Sequence, residues 1–176
     1  MVPKRVESQN ARWLRISGQV ASCIPHINHY SLVQIATTPG RVVVNRNERI
    51  LAAEQIVKDG IQSDDEVEPF LALLKDEYNY PLITGTTNEK ANYAILRGDA
   101  ALVLAKYGLK TEEFIDTLKQ ILTSILDDPV FVPHDDRGST MFFNKFLAAL
   151  YLADNEGAMP LVLAFTTEDQ IKAFLT

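Results

Sequence analysis

The chain has 176 residues, of which 47% are apolar and 23% charged, with a formal charge of −6. That balance describes one globular domain or two small ones, with enough apolar material for a core that needs no staples. The negative charge opposes non-specific attraction to nucleic acid or anionic lipid, the single cysteine, Cys23, has no internal disulfide partner, and no stretch of about 18 or more apolar residues offers a membrane span.

Residues 1–10 are polar and read as a frayed end. Met1 to Arg5 does not read as a signal peptide, because no apolar core follows Lys4 and Arg5. A lone cysteine also suits a reducing compartment, so cytoplasmic residence is expected. Residues 31–36 and 41–44 are rich in β-branched side chains, and Thr37-Thr38-Pro39-Gly40 between them has turn chemistry. This predicts a β-hairpin. From Glu48 to Val57 the residues Ile50, Leu51, Ala53, Ile56 and Val57 form a helical stripe, with Gly60 as its stop. Ser63-Asp64-Asp65-Glu66 has the pattern of a capping box. Val67, Phe70, Leu71, Leu73 and Leu74 follow at helical spacing, and Pro69 favours a start near Glu66, where proline falls in the first turn.

Residues 78–90 carry Pro81, Gly85 and a Thr-Thr-Asn run and read as a linker. In residues 93–105 the pair Gly98-Asp99 interrupts an alanine-rich apolar run. Its cost to a helix, roughly 1 kcal/mol or more, predicts a second hairpin. Thr111-Glu112-Glu113 opens a helix with Phe114, Ile115, Leu118, Ile121, Leu122, Ile125 and Leu126 on one face, ended by Asp127-Asp128-Pro129. Residues 130–132 read as a strand and 134–140 as a polar loop. Residues 142–152 suit helix or strand, with length and Ala-Ala-Leu favouring helix. Leu161 to Phe165 reads as a buried strand, and Thr167-Glu168-Asp169-Gln170 caps a last helix carrying Ile171, Phe174 and Leu175.

Two segments carry family resemblances. Asn92-Tyr93-Ala-Ile-Leu-Arg-Gly-Asp99, the apolar run after it and the threonine-capped helix ending at Asp127-Asp128 resemble the end of a YbjN-type, secretion-chaperone-like domain. Val130-Phe-Val-Pro133, then Met159-Pro160-Leu-Val-Leu-Ala-Phe-Thr166-Thr-Glu168 and its helix, resemble the SseB N-terminal domain, although 139–157 departs from that pattern by reading as partly helical. The resemblances imply an α+β fold in which antiparallel sheets built from hairpins carry helices on one face. They divide the chain into 1–128 and 129–176, as two small modules or one packed domain. The YbjN-type resemblance also implies binding of a protein partner, and neither brings a catalytic motif.

Few constellations suit chemistry. Cys23, His26 and His29 recur at a spacing of three and offer thiolate and imidazole to a metal such as zinc. Pro25 interrupts them, and a loop with a buried thiol and hydrogen-bonded histidines explains them better. His134 with Asp135 or Asp136 suggests a general base for a small hydrolase, against the plainer reading of a solvated loop. Asp64, Asp65, Glu66 and Glu68 suit the positive end of a helix better than a cation. Phosphate-binding glycine loops are absent. Arg97-Gly98-Asp99 matches an adhesion tripeptide but reads as a hairpin turn. The basic residues Lys4, Arg5, Arg12, Arg15, Arg41, Arg46 and Arg49 lack the aromatic interleaving of a single-strand binder. Trp13, Tyr30, Tyr78, Tyr80 and Tyr93 lie outside the strongest helices and are the candidate partner-binding residues, since aromatics with a polar handle serve interfaces as well as cores. The leading expectation is a non-enzymatic protein-binding module, chaperone-like or adaptor-like, with no cofactor. A metal-dependent or hydrolytic enzyme and a homo-oligomeric structural subunit are the alternatives.

Overall fold

The computed structural model describes residues 28–37, 46–76, 88–128 and 139–175. The regular structure of these residues is all helix, with no strand among them, so the expected α+β fold is corrected to an all-helical one. In chain order the helices are α1 (His29–Thr37), α2 (Arg46–Asp59), α3 (Val67–Lys75), α4 (Asn88–Tyr107), α5 (Glu112–Leu126), α6 (Ser139–Ala153), α7 (Asn155–Phe165) and α8 (Glu168–Leu175), with a single 3-10 turn (Asp64–Glu66) before α3.

The first expected hairpin gives way to α1 in its first half, and residues 38–45 lie outside the described residues. Asn28 sets this start: its Oδ1 accepts from the Ser31 N–H at 2.9 Å. Leu32, Val33 and Ala36, spaced as one helical face, are buried. Val33 and Ile35 suggested a strand because β propensity mostly reports fit to a half-buried surface, and here a helix face supplies that surface. Helix α2 covers the expected stripe, and Gly60 ends it with φ of 77°, its N–H donating to the Ile56 carbonyl at 2.7 Å. Ser63 makes no side-chain cap; α3 starts at Val67, which leaves Pro69 in the first turn.

The second expected hairpin, over 93–105, is instead the interior of α4, a 20-residue helix. Ala94, Leu96 and every residue from 97 to 105 are buried. A helix enclosed on all sides loses the polar stripe that would mark its period. The Gly98 penalty is offset by what glycine permits. A Cβ on Gly98 would sit 3.0 Å from the Lys145 Cβ and 3.5 Å from the Phe142 carbonyl oxygen, both on α6. Helix α4 closes in a Schellman motif: Gly108 has φ of 95°, its N–H donates to Ala105, and the Leu109 N–H donates to Leu104.

Helix α5 matches expectation, with the Thr111 hydroxyl accepting from the Phe114 N–H and Phe114, Leu118, Ile121, Leu122 and Ile125 buried. Residues 142–152 are helical within α6. The strand expected at Leu161–Phe165 is the second half of α7. Asp154 caps α7, its Oδ1 accepting from the Gly157 N–H at 2.9 Å. With Ala158 and Val162 buried, this cap holds the helix despite Pro160, which lacks an N–H to donate. The strand expected at 130–132 lies outside the described residues. At α8 the capping box forms reciprocally: the Gln170 N–H donates to Thr167 Oγ1 at 3.2 Å and the Thr167 N–H to Gln170 Oε1 at 3.0 Å.

Two helices organise the packing. Helix α4 rests against α2, α3 and α6, and α6 rests against α4, α5, α7 and α8. Phe143 of α6 and Phe165 of α7 meet edge to face with centroids 5.4 Å apart. Tyr151 of α6 donates to Glu168 of α8 at 2.7 Å. Lys119 of α5 reaches the α7 cap Asp154 at 3.0 Å. The α4–α6 pair therefore joins the helices on either side of residue 129. Among the described residues no helix is long and apolar enough to cross a membrane.

Replacing Gly98 by valine is expected to lower the unfolding free energy by about 2–3 kcal/mol through overpacking against α6, even though valine is the better helix former. The midpoint of urea denaturation reads this, and an unchanged or raised midpoint would contradict the close crossing.

Candidate functional site

The most unusual chemistry among the described residues lies at the α4–α6 crossing. Arg97 and Asp99 are each only 1% exposed, and Lys145 is buried beside them. Expected as a hairpin turn, Arg97-Gly98-Asp99 is instead a buried helical segment. Position decides the partners. Asp99 and Lys145 flank the close approach at Gly98, and the Lys145 ammonium donates to Asp99 Oδ1. Arg97 donates through Nε to the Leu74 carbonyl at 2.8 Å. Leu74 lies in the last turn of α3, so a buried cation meets the negative end of a helix dipole. Arg49 of α2 does the same for α1, its Nη2 donating to the Ala36 carbonyl at 3.1 Å.

Burial pushes the Asp99 carboxyl up to about 6 from its ordinary 3.8. The charge and hydrogen bond of Lys145 pull it down, and Glu54 of α2 adds a smaller rise. Desolvation wins because a carboxylate removed from water loses more than one ammonium returns. The second oxygen, Oδ2, is buried and has no hydrogen-bond partner among the described residues. At the surface the directions reverse: Glu113 beside Lys75, Asp154 beside the Gly157 N–H and Lys119, and Glu168 beside Lys172 and Tyr151 are all held below their usual values.

Of the proposed metal ligands, Cys23 and His26 lie outside the described residues, and His29 opens α1 with Nε2 2.9 Å from Glu66 Oε2. The same Glu66 oxygen accepts from the Gln62 N–H at 2.9 Å. Among the described residues no group of three or more His, Cys, Asp or Glu is placed to hold a metal ion. His134, Asp135 and Asp136 lie outside the described residues. So do Trp13, Tyr78 and Tyr80, while Tyr93 falls on α4 with its side chain outside them. Tyr30 is placed: it stands on α1 with 71% of its surface exposed. Leu163 of α7 is 69% exposed, and Leu51 of α2 is also exposed.

Sequence reasoning missed Arg97, Asp99 and Lys145 as a cluster. The available signal was two charges within an apolar run too long for a strand. Comparison with family models, with curated proteins and with solved structures returns no match.

Removing one member of the buried pair leaves the other desolvated. Lys145→Met is expected to cost about 3–5 kcal/mol of stability at neutral pH, whereas the double change Asp99→Leu with Lys145→Met should recover most of that loss. Guanidinium denaturation of both variants checks this, and a single variant as stable as the parent would contradict the pairing.

Proposed function

We propose that this chain is a non-enzymatic protein-binding module of adaptor or chaperone-like character, and that Tyr30 belongs to its contact surface. The observation that carries the reading is the division of α1. Leu32, Val33 and Ala36 are buried, while Tyr30 presents an aromatic ring and a hydroxyl to solvent. A tyrosine offers large contact area, a hydrogen-bonding end and little conformational entropy to lose, which is why such residues anchor interfaces. Leu51, on the helix against which α1 packs, is a second exposed apolar side chain. The negative charge of the chain favours a protein partner over a nucleic acid.

The test places a photo-crosslinking amino acid at position 30 in the full chain, expressed in its native host. A single protein adduct is expected at near-stoichiometric yield, and Tyr30→Ala should cut recovery of that partner from lysate about tenfold, the loss of one central hot spot. An adduct with a second copy of this chain, or equal recovery with Tyr30→Ala, would contradict the reading.

A further inference from the structure

Three hydroxyls in the chain are each followed directly by two acidic residues: Ser63 by Asp64 and Asp65, Thr111 by Glu112 and Glu113, and Thr167 by Glu168 and Asp169. The fold treats them differently. Thr111 Oγ1 accepts from the Phe114 N–H at 3.3 Å and opens α5. Thr167 Oγ1 accepts from the Gln170 N–H at 3.2 Å and donates to Gln170 Oε1 at 3.1 Å, so its donor and acceptor both serve α8. Ser63 has the sequence of a capping box, yet its side chain makes no cap hydrogen bond. The other half of that box is diverted: Glu66 Oε2 accepts from the Gln62 N–H and meets His29 Nε2, each at 2.9 Å. Ser63 is thus exposed between α2 and the 3-10 turn, with an extended backbone at φ −149° and ψ 156°. Asp64 and Asp65 beside it are exposed as well.

We propose that Ser63 is a phosphorylation site for a serine kinase whose substrate cleft is lined with basic residues. A kinase selects its acceptor partly by the charges that flank it. Three consecutive acids follow Ser63, and no lysine or arginine lies between Lys58 and Lys75. The step is a phosphoryl transfer from a kinase-bound nucleoside triphosphate. Ser63 Oγ bonds to the γ-phosphorus, the bond to the β–γ bridging oxygen breaks, the nucleoside diphosphate leaves, and the hydroxyl proton passes to the kinase's carboxylate base.

The same reaction at Thr111 or Thr167 would sacrifice a helix cap, whereas at Ser63 it sacrifices none. The phosphoryl group adds a charge of about −1.5 to −2. It would stand three residues from Glu66, the carboxylate that ties α1 to this turn.

The test incubates the full folded chain with magnesium, labelled ATP and an extract of its native host, and maps the phosphate by tandem mass spectrometry. Ser63 is expected to carry about tenfold more label than Thr111 or Thr167, the scale on which an intact cap protects a hydroxyl. Ser63→Ala should remove most of the total incorporation, and Ser63→Thr should keep it. Changing the two exposed carboxylates together, Asp64→Asn with Asp65→Asn, should slow labelling about tenfold while the circular dichroism stays unchanged. No phosphate at Ser63, equal labelling of Thr111 or Thr167, or an undiminished rate in the double variant would each overturn the proposal.

Discussion

Gly98 and Lys145 are brought so close that a single added carbon on the glycine would press on the lysine stem, and the arrangement of the described helices depends on that approach. Because α4 carries no side chain at this point, α6 can lie against it, and Lys145 can reach Asp99 one residue further along. Each of the two helices then organises its own neighbours: α2 and α3 around α4, and α5, α7 and α8 around α6. The apolar core supplies the driving force, with phenylalanines 142, 143 and 146 and the alanine-rich stretch of α4 fully enclosed. The ion pair contributes in another way. Desolvation costs make a buried pair a poor source of stability, but the pair penalises any register of α4 on α6 that would leave either charge alone.

The buried arginines follow the same logic. Arg49 and Arg97 each bring a permanent charge into the interior and place it against the carbonyl end of a neighbouring helix. Those carbonyls lack intrahelical donors, so each arginine supplies a donor to a helix terminus. Buried polar groups here therefore specify how helices meet. Tyr30, by contrast, faces outward.

How much of this was legible depended on whether a helix had a wet side. Helices α2, α3, α5 and α8 each keep exposed polar residues opposite a buried stripe, and Thr111 and Thr167 with Gln170 marked two starts correctly. Helices α4 and α7 defeated the same reading. Burial on all sides of α4 removed its period, and Gly98-Asp99 resembled a turn because the helix that needs the glycine, α6, lies more than forty residues away in sequence. In α7, Leu161 to Phe165 resembled a buried strand because a short apolar run does not by itself distinguish strand from helix, and the Asp154 cap that starts the helix lies before that run. Tyr30, one of the aromatic candidates, stands exposed on α1 while its neighbours Leu32, Val33 and Ala36 take the core. The Asp99–Lys145 pair spans 46 positions, and no local pattern links two such residues.

The most direct test of the helix crossing is a nuclear Overhauser measurement on the folded chain. Strong cross-peaks between the Gly98 Hα protons and the Lys145 side-chain Hβ protons are predicted, given a separation at which even one further carbon is crowded. Cross-strand Hα–Hα contacts within residues 93–105, or no contact between residues 98 and 145, would contradict the account.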